Sequence, residues 1–327
     1  MRLREIFAIN KPFGGVSVIV VGDLNQLQPV LDDWIFKPDK NNLADLLGYN
    51  IWEIFKCVEL KEIMRQKDKL FSVVLTNLAN GEMSLDEINL FKARQLNNIS
   101  NNVPHDAVRL FYDKISVKTY NTYKLKSLKT ESHLCLAIDV IRGHGSKAQK
   151  QYLLDKAASE EEDVTNQTAY EIELKIEAKY MILVNLNVSD GLTNDSTGIL
   201  KKISFDKLKR AHIKWILFEN SNIGQVTRKN YLHVMRDLNI DDKNFTPIER
   251  YMSVISKSKP NIGGPIQVHR YQFPIICAEA ITIHKSQGLT LPSAVVKLTS
   301  NNNRRIDRRL PYVGCSRGSS LVIKVCI

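Results

Sequence analysis

The stretch that decides the fold covers residues 14–30 and reads GGVSVIVVGDLNQLQPV. Apart from Ser17, residues 16–21 are apolar and β-branched, which is typical of a strand buried on both faces in a parallel sheet. Polar residues follow directly after Gly22. In an open α/β sheet, polar side chains just past the carboxyl end of a strand face the ligand crevice. The stretch therefore predicts an α/β fold with residues 23–26 at its ligand crevice.

Local patterns further along the chain predict additional elements. Ser84 followed three residues later by Glu87 predicts a helix that begins with a capping box. Residues 108–111 predict a strand, whereas the polar segment 142–168 is interpreted as a loop or insertion. Residues 186–265 contain short apolar runs separated by turn signals, which predicts a small β-rich subdomain before the α/β pattern returns.

Composition narrows the class of partner. The 327 residues carry 46 Lys and Arg against 35 Asp and Glu, a net charge of +11, which favours a polyanion. No basic amphipathic helix stands out and no apolar run approaches the length of a membrane helix, so we expect nucleic acid and no membrane. The five cysteines show no C-x-x-C spacing, which predicts neither a disulfide framework nor a zinc site.

Four further segments belong with the first stretch. They are IMRQ at residues 63–66, NLNVSDGLTNDSTG at 185–198, ITIHKSQGLT at 281–290 and YVGCSR at 312–317. In order and spacing, the five segments resemble helicase superfamily one, specifically the Pif/RecD-like DNA helicases. By this resemblance, the first stretch is the Pif signature followed by motif III, and IMRQ is motif IV. The segment at 185–198 is the start of an inserted barrel. ITIHKSQGLT is motif V, and YVGCSR is motif VI. The sequence of the first stretch also resembles the same motifs in Helitron-borne helicases.

The resemblance implies a fold and a division into domains. The implied fold is α/β, with two RecA-like domains of the P-loop NTPase type, the first incomplete, and a small SH3-like β-barrel inserted in the second. The implied boundaries are 1–60 for the end of the first RecA-like domain, 61–185 for the first part of the second, 186–265 for the barrel and 266–327 for the remainder.

The same resemblance implies an ATP site. Gln26 corresponds to a residue that contacts the γ-phosphate or the attacking water, and Arg65 and Arg317 correspond to arginine fingers. A guanidinium group binds phosphate oxygens in pairs and stabilises transition-state charge, which suits both arginines to that role. Asp23 and Gly288 complete the implied nucleotide contacts, because glycine allows the backbone to approach a phosphate closely.

A second set of residues is implied to contact single-stranded DNA through its backbone, without reading its sequence. These residues are Asn121, Thr282, His284, Lys285 and Gln287. Aromatic residues of the implied barrel, including Trp215, could stack on bases. Trp215 alternates with Ile213 and Leu217, however, and this alternation favours packing in the core.

Two motifs of the family are missing from the sequence. No Gly-Lys dipeptide occurs, so there is no G-x-x-x-x-G-K-[ST] phosphate loop, and no Asp-Glu pair follows a buried strand to hold Mg²⁺. We therefore interpret the chain as the C-terminal portion of a helicase lacking motifs I and II, and expect it to be inactive alone. Two alternatives stay open: a non-catalytic single-stranded DNA-binding module and a non-functional remnant.

By resemblance, the parent protein is an ATP-dependent 5′-to-3′ DNA helicase of genome maintenance, repair, recombination or transposition. It uses ATP and Mg²⁺, the Mg²⁺ ligands being absent from this chain, and acts on single-stranded DNA as a monomer. The implied location is nuclear or mitochondrial.

Overall fold

The computed structural model describes residues 2–28, 34, 36–37, 51–60, 64–66, 68–94, 107–159, 168–207, 210–257, 266–298, 306–318 and 323–326. The chain divides into two compact units. Unit 1 comprises Met1–Tyr112 and Thr282–Ile327, and unit 2 comprises Asp113–Ile281. Unit 2 is therefore continuous in sequence, whereas unit 1 is built from two segments that unit 2 separates.

The described α-helices, in chain order, are α1 (Arg2–Phe7), α2 (Lys69–Asn80), α3 (Leu85–Lys92), α4 (Lys114–Ser127), α5 (Lys147–Ser159), α6 (Gln225–Asn230), α7 (Leu232–Asp237) and α8 (Arg309–Cys315). Short 3₁₀ helices cover Pro12–Gly15, Ile51–Ile54 and Val188–Asp190. The described strands are β1 (Val108–Phe111), β2 (Ser132–Leu136), β3 (Ile138–Arg142), β4 (Glu171–Lys175), β5 (Lys179–Ile182), β6 (Thr197–Phe205), β7 (Ala211–Phe218), β8 (Thr246–Ile248), β9 (Tyr251–Lys257), β10 (Gln267–Gln272), β11 (Ile275–Cys277), β12 (Ala280–Thr282), β13 (Ala294–Lys297) and β14 (Ile323–Cys326). None of these helices has the length and hydropathy that crossing a bilayer requires.

Parallel strands form the centre of unit 1. Strand β13 pairs with β1 on one side and with β14 on the other, so that Val108 lies opposite Ala294 and Ala294 opposite Ile323. Leu110 and Val296 are buried, and α8 packs against β13. The contact is close, since a Cβ built on Gly314 would lie 2.9 Å from Cγ1 of Val296. The predicted strand at 108–111 is confirmed.

The predicted buried strand at residues 16–21 is wrong. These residues carry no regular secondary structure, and Ile19 and Val21 are 89% and 83% exposed. A β-branched run becomes a buried parallel strand only where neighbouring strands satisfy its backbone groups. Among the described residues, no strand pairs with this segment, and its apolar side chains consequently remain exposed.

Two predictions about helices have opposite outcomes. The capping box is confirmed: the Glu87 N–H donates to Ser84 Oγ at 3.3 Å, and the Ser84 N–H donates to Glu87 Oε2 at 2.7 Å. The predicted loop at 142–168 is wrong for residues 147–159, which form α5. Leu153 and Ala157, one helical turn apart, bury α5 against the core of unit 2, although most of its other residues are polar.

Three antiparallel sheets make up most of unit 2. Their strand orders are β11-β5-β6-β7-β8, β3-β10-β9 and β2-β4. The predicted β-rich segment 186–265 supplies β6 to β9, but β5 and β11 of the largest sheet come from outside that segment. The described strands form open sheets and no closed barrel.

Buried polar side chains accompany the apolar core of unit 2. Trp215 is fully buried with Met235 and Ile240, and its indole Nε1–H donates to Ser204 Oγ at 2.7 Å. This placement confirms that Trp215 packs in the core. Arg270, also fully buried, forms a two-point ion pair with Asp139, in which Nε and Nη2 donate to the carboxylate at 2.9 and 2.8 Å.

Candidate functional site

Arg65 and Arg317 are neighbours in unit 1, although they lie far apart in the sequence. Arg65 Nε donates to Thr290 Oγ1 at 3.2 Å, and Arg65 Nη1 donates to the main-chain oxygen of Ser316 at 3.4 Å. Arg317 directly follows Ser316 at the end of α8. The structure therefore brings the two predicted arginine fingers to the same place.

The Arg317 guanidinium is 1% exposed and only partly satisfied. Its Nε donates to the Val313 oxygen at 3.0 Å, and its Nη2 donates to Ser316 Oγ at 2.8 Å. Nη1 is buried and has no hydrogen-bond partner within the described structure. Burial lowers the pKa of Arg317 to about 10, and the positive charge of Arg65 acts in the same direction. Arg317 remains a cation at neutral pH, and an unpaired buried N–H is unfavourable unless an acceptor reaches it.

A tyrosine and an aspartate join the loop at residues 23–26 to α8. The Tyr312 hydroxyl donates to Asp23 Oδ2 at 3.1 Å. The Asp23 carboxylate also accepts from the Asn25 N–H at 2.9 Å and from Gln26 Nε2 at 3.2 Å. Burial, reinforced by the charge of Asp23, raises the pKa of Tyr312 to about 12, so the hydroxyl remains a donor at neutral pH.

Gln26 also contacts the segment at residues 281–290. Gln287 Nε2 donates to Gln26 Oε1 at 3.1 Å. Gln26 therefore links Asp23, a predicted nucleotide-contacting residue, to Gln287, a predicted DNA-contacting residue. Of the predicted nucleotide-contacting residues, the structure connects Asp23 and Gln26 directly, and Arg317 lies within electrostatic range of Asp23 and Arg65.

The other predicted residues of this segment lie on a tight turn. The Lys285 N–H donates to Thr282 Oγ1 at 3.2 Å, which fixes the start of the turn. Gly288 has φ +90°, a conformation that side chains disfavour, and no described atom lies within 4 Å of a Cβ built there. His284 is exposed, but partial desolvation lowers its pKa, so its imidazole is mainly neutral at pH 7.

Asn121 is placed differently, because it lies in unit 2 on α4. Its Nδ2 donates to the Cys277 and Ala280 oxygens, both at 3.0 Å, and its Oδ1 accepts from the Ala280 N–H at 2.7 Å. Both amide hydrogens are therefore used to hold the backbone at 277–280. A contact between Asn121 and DNA stays a prediction.

Two residues of this site received no role in the sequence interpretation. Gln66 is buried, and its Nε2 donates to the Gly318 oxygen at 2.6 Å, which ties the IMRQ segment to the end of α8. Tyr312 provides the contact to Asp23. Both residues lie inside the motif segments, and this position is the signal in the sequence that could have identified them. Their hydrogen-bond partners could not be predicted, because those contacts form only in the tertiary structure.

Comparison with known proteins shows similarity to DNA helicases. Residues 1–88 match the family model described as PIF1-like helicase. Over 97% of its length, the chain is 29% identical to the ATP-dependent DNA helicase PIF1 of Xenopus laevis and 28% identical to that of Danio rerio. The matched region covers 42% of each of those proteins, so the chain spans less than half of their length.

Solved structures show the same relationship at the level of the fold. The crystal structure of Pif1 helicase from Candida albicans matches 99% of this chain and 66% of that one, with a TM-score of 0.67 and 21% identity. Bacteroides Pif1 in complex with ADP-AlF3 and ssDNA matches 99% of this chain and 65% of that one, with a TM-score of 0.63 and 24% identity. The mixed α/β fold therefore resembles that of Pif1 helicases. In sequence and in fold, the chain is similar to PIF1-like DNA helicases.

Proposed function

We propose that this chain is part of an ATP-dependent DNA helicase and contributes Arg65 and Arg317 as ligands of the ATP γ-phosphate. The observation that carries the proposal is the buried, unpartnered Nη1 of Arg317 beside a second arginine. Phosphoryl transfer depends on positioning and charge neutralisation, and two neighbouring guanidinium groups are suited to supply both. An incoming phosphate oxygen would satisfy the Arg317 N–H that has no partner within the described structure.

The phosphate loop and the Mg²⁺ ligands have to come from elsewhere in the functional protein. The 327 residues contain no Gly-Lys dipeptide, and the described part includes no group of three metal-binding side chains. We therefore assign no Mg²⁺ ligand in this chain and expect the 327 residues by themselves not to hydrolyse ATP. In the complete site, ATP supplies the transferred phosphoryl group, while Arg65 and Arg317 bind its oxygens.

Several finer features are proposed along with this function. They are the two RecA-like domains with an inserted SH3-like barrel, at boundaries 1–60, 61–185, 186–265 and 266–327, and 5′-to-3′ polarity. Binding of single-stranded DNA by Thr282, His284, Lys285 and Gln287 is supported by the position of these residues on one turn linked to Gln26. Action in repair, recombination or transposition, a monomeric state and a nuclear or mitochondrial location remain predictions.

The experiment for the arginines uses the complete natural protein that contains this chain. Arg65→Ala and Arg317→Ala should each lower the DNA-stimulated ATPase rate by about a thousandfold, the lower range for an arginine finger. Arg236→Ala removes an exposed arginine from α7 and should leave the rate unchanged. Each variant should still bind single-stranded DNA, which shows that it is folded. Wild-type ATPase rates in folded Arg65→Ala and Arg317→Ala proteins would refute the assignment.

A separate experiment distinguishes the two alternatives, a non-catalytic DNA-binding module, which the net charge of +11 supports, and a non-functional remnant. Binding of the 327-residue chain to a fluorescent thymidine oligonucleotide is followed by anisotropy at several salt concentrations. A folded DNA-binding chain loses affinity linearly on a log–log plot, and Lys285→Ala should reduce that slope by about one or less. Aggregated protein without salt-dependent binding would favour a non-functional remnant.

A further inference from the structure

Three consecutive backbone oxygens just after α8 accept hydrogen bonds from other segments of unit 1. Gln66 Nε2 donates to the Gly318 oxygen at 2.6 Å and to the Ser316 oxygen at 3.4 Å. Between these two, the Arg317 oxygen accepts from the Leu291 N–H at 2.9 Å. A single side chain, that of Gln66, therefore holds the backbone on both sides of Arg317.

Gln66 is buried together with the backbone that it contacts. Its exposed fraction is 7%, and both Ser316 and Gly318 are buried. A buried carbonyl oxygen needs a donor, and the amide nitrogen of glutamine carries two hydrogens, enough for both oxygens. The satisfied oxygens explain why a donor is needed at this place, and the position of Gln66 along the chain suggests a second role.

That position is directly after Arg65. The Arg65 side chain reaches the same segments, because its Nη1 donates to the Ser316 oxygen at 3.4 Å and its Nε donates to Thr290 Oγ1 at 3.2 Å. Neighbouring Cα atoms are separated by one rigid peptide unit. The contacts of Gln66 therefore fix the distance between the backbone that carries Arg65 and the backbone that carries Arg317.

The Arg317 guanidinium cannot adjust independently of its backbone. Its Nε and Nη2 donate to the Val313 oxygen and to Ser316 Oγ, which lie on the same short stretch of chain. A shift of that stretch would therefore carry the guanidinium with it. Misplacing a reacting or stabilising group by about 1 Å can cost about a hundredfold in rate.

We propose that Gln66 is a positioning residue for ATP hydrolysis: it fixes the separation of Arg65 and Arg317, so that both guanidinium groups meet the γ-phosphate together. This role rests on the function proposed above for the two arginines. Gln66 touches neither the nucleotide nor DNA and acts through Arg317. It should therefore affect the transferred phosphoryl group and leave binding of the ADP portion unchanged.

The test uses the complete natural protein that contains this chain. Gln66→Met keeps the length of the side chain and removes both N–H donors, and we expect it to lower the DNA-stimulated kcat by about a hundredfold. The affinity for ADP, measured by titration calorimetry, should stay at the wild-type value, because ADP lacks the γ-phosphate. Combined with Arg317→Ala, Gln66→Met should cause no further loss in single-turnover rate, since both changes act on one guanidinium.

Unit 2 provides a matched control in a second buried glutamine. Gln272, on β10, is fully buried, and its Nε2 donates to the Cys135 oxygen at 3.1 Å and to the Tyr170 oxygen at 3.3 Å. Gln272→Met makes the same chemical change and likewise leaves buried backbone oxygens without a donor. It should lower the thermal stability of the protein and leave the kcat of the folded enzyme unchanged.

A wild-type kcat in folded Gln66→Met protein would overturn the role of Gln66. Parallel losses of kcat and ADP affinity, or a further hundredfold loss in the Arg317→Ala background, would overturn it too, because they indicate general disruption. If Gln66→Met does not fold, Gln66→Asn decides by the same criteria, since its shorter amide cannot reach both oxygens. Wild-type rates in Arg65→Ala and Arg317→Ala would instead refute the proposed function itself.

Discussion

Asp139→Ala should destabilise unit 2 far more than an ordinary loss of a surface charge. Arg270 is fully buried, and the Asp139 side chain is 7% exposed. Besides its two bonds to Asp139, the Arg270 guanidinium donates to the Thr168 oxygen at 3.0 Å and to the Ala157 oxygen at 2.8 Å. These two bonds hold the guanidinium in place, so it cannot reach solvent when the carboxylate is removed.

The size of the expected loss of stability follows from the charge of Arg270, which Asp139→Ala leaves without a counter-ion. Removing one partner of a buried ion pair costs about 3–5 kcal/mol, because the other charge stays desolvated without its counter-ion. Replacing both partners with apolar residues removes both desolvation penalties. The double variant Asp139→Leu with Arg270→Met should therefore be more stable than Asp139→Ala, although it carries one more substitution.

The assay is hydrogen exchange measured on peptides from β3 and β10, because a chain of two units need not unfold in a single step. A loss of about 3–5 kcal/mol lowers protection by about a hundredfold to a few thousandfold. Lys201→Ala breaks the partly exposed pair with Glu177 and should cost less than about 1 kcal/mol. The reasoning fails if Asp139→Ala changes protection no more than Lys201→Ala, or if the double variant is the less stable of the two Asp139 variants.

Three further predictions concern local structure. Ser84→Ala should lower the protection of α3 by about 1 kcal/mol, because it removes the capping hydroxyl, and exchange of peptide 85–92 measures this loss. Hydrogen bonds from Ser84 and Asn77 lower the pKa of Glu87, so its stabilising contribution is complete above about pH 4.3 and is lost as the pH falls through the lowered value. An acid titration by circular dichroism should show this loss in the wild type and not in Glu87→Gln. Asn121→Ala should cost about 1–3 kcal/mol, since the Ala280 N–H loses its acceptor, and exchange of peptide 277–281 reports it.

Local signals in the sequence were sufficient for some elements of the fold. The capping box depends on two side chains three residues apart, and the pattern at 108–111 depends on one short strand. The segment at 16–21 has an equally strong local signal, yet it is not a strand, because strand formation requires neighbours that sequence periodicity does not specify. Helix α5 was not predicted, because its buried face consists mainly of Leu153 and Ala157 and the rest of its sequence is largely polar.

The residues of the candidate site, like the elements of the fold, were only partly predictable from the sequence. Resemblance to a family indicated Arg65 and Arg317, and the structure places them side by side. It did not indicate that Tyr312 contacts Asp23, because that bond joins segments almost 290 residues apart and depends on tertiary structure. In unit 2, the buried contact of Lys214 Nζ with Cys135 Sγ at 3.4 Å could not be predicted either. In the sequence, Lys214 is one polar residue in a mostly apolar strand, and nothing near it indicates a sulfur partner.

The pairing of β1 with β13 imposes an order on folding during synthesis. The ribosome makes Val108 long before its partner Ala294, and all of unit 2 emerges in between. Unit 2 is continuous and can fold as soon as it has left the exit tunnel, whereas the sheet of unit 1 has to wait for β13. During that interval β1 exposes unpaired backbone edges, which makes the nascent chain prone to aggregation and a natural client for chaperones. Termination of translation anywhere between residues 283 and 293 would consequently release a chain that has a complete unit 2 and in which the edge of β1 that faces β13 is unpaired.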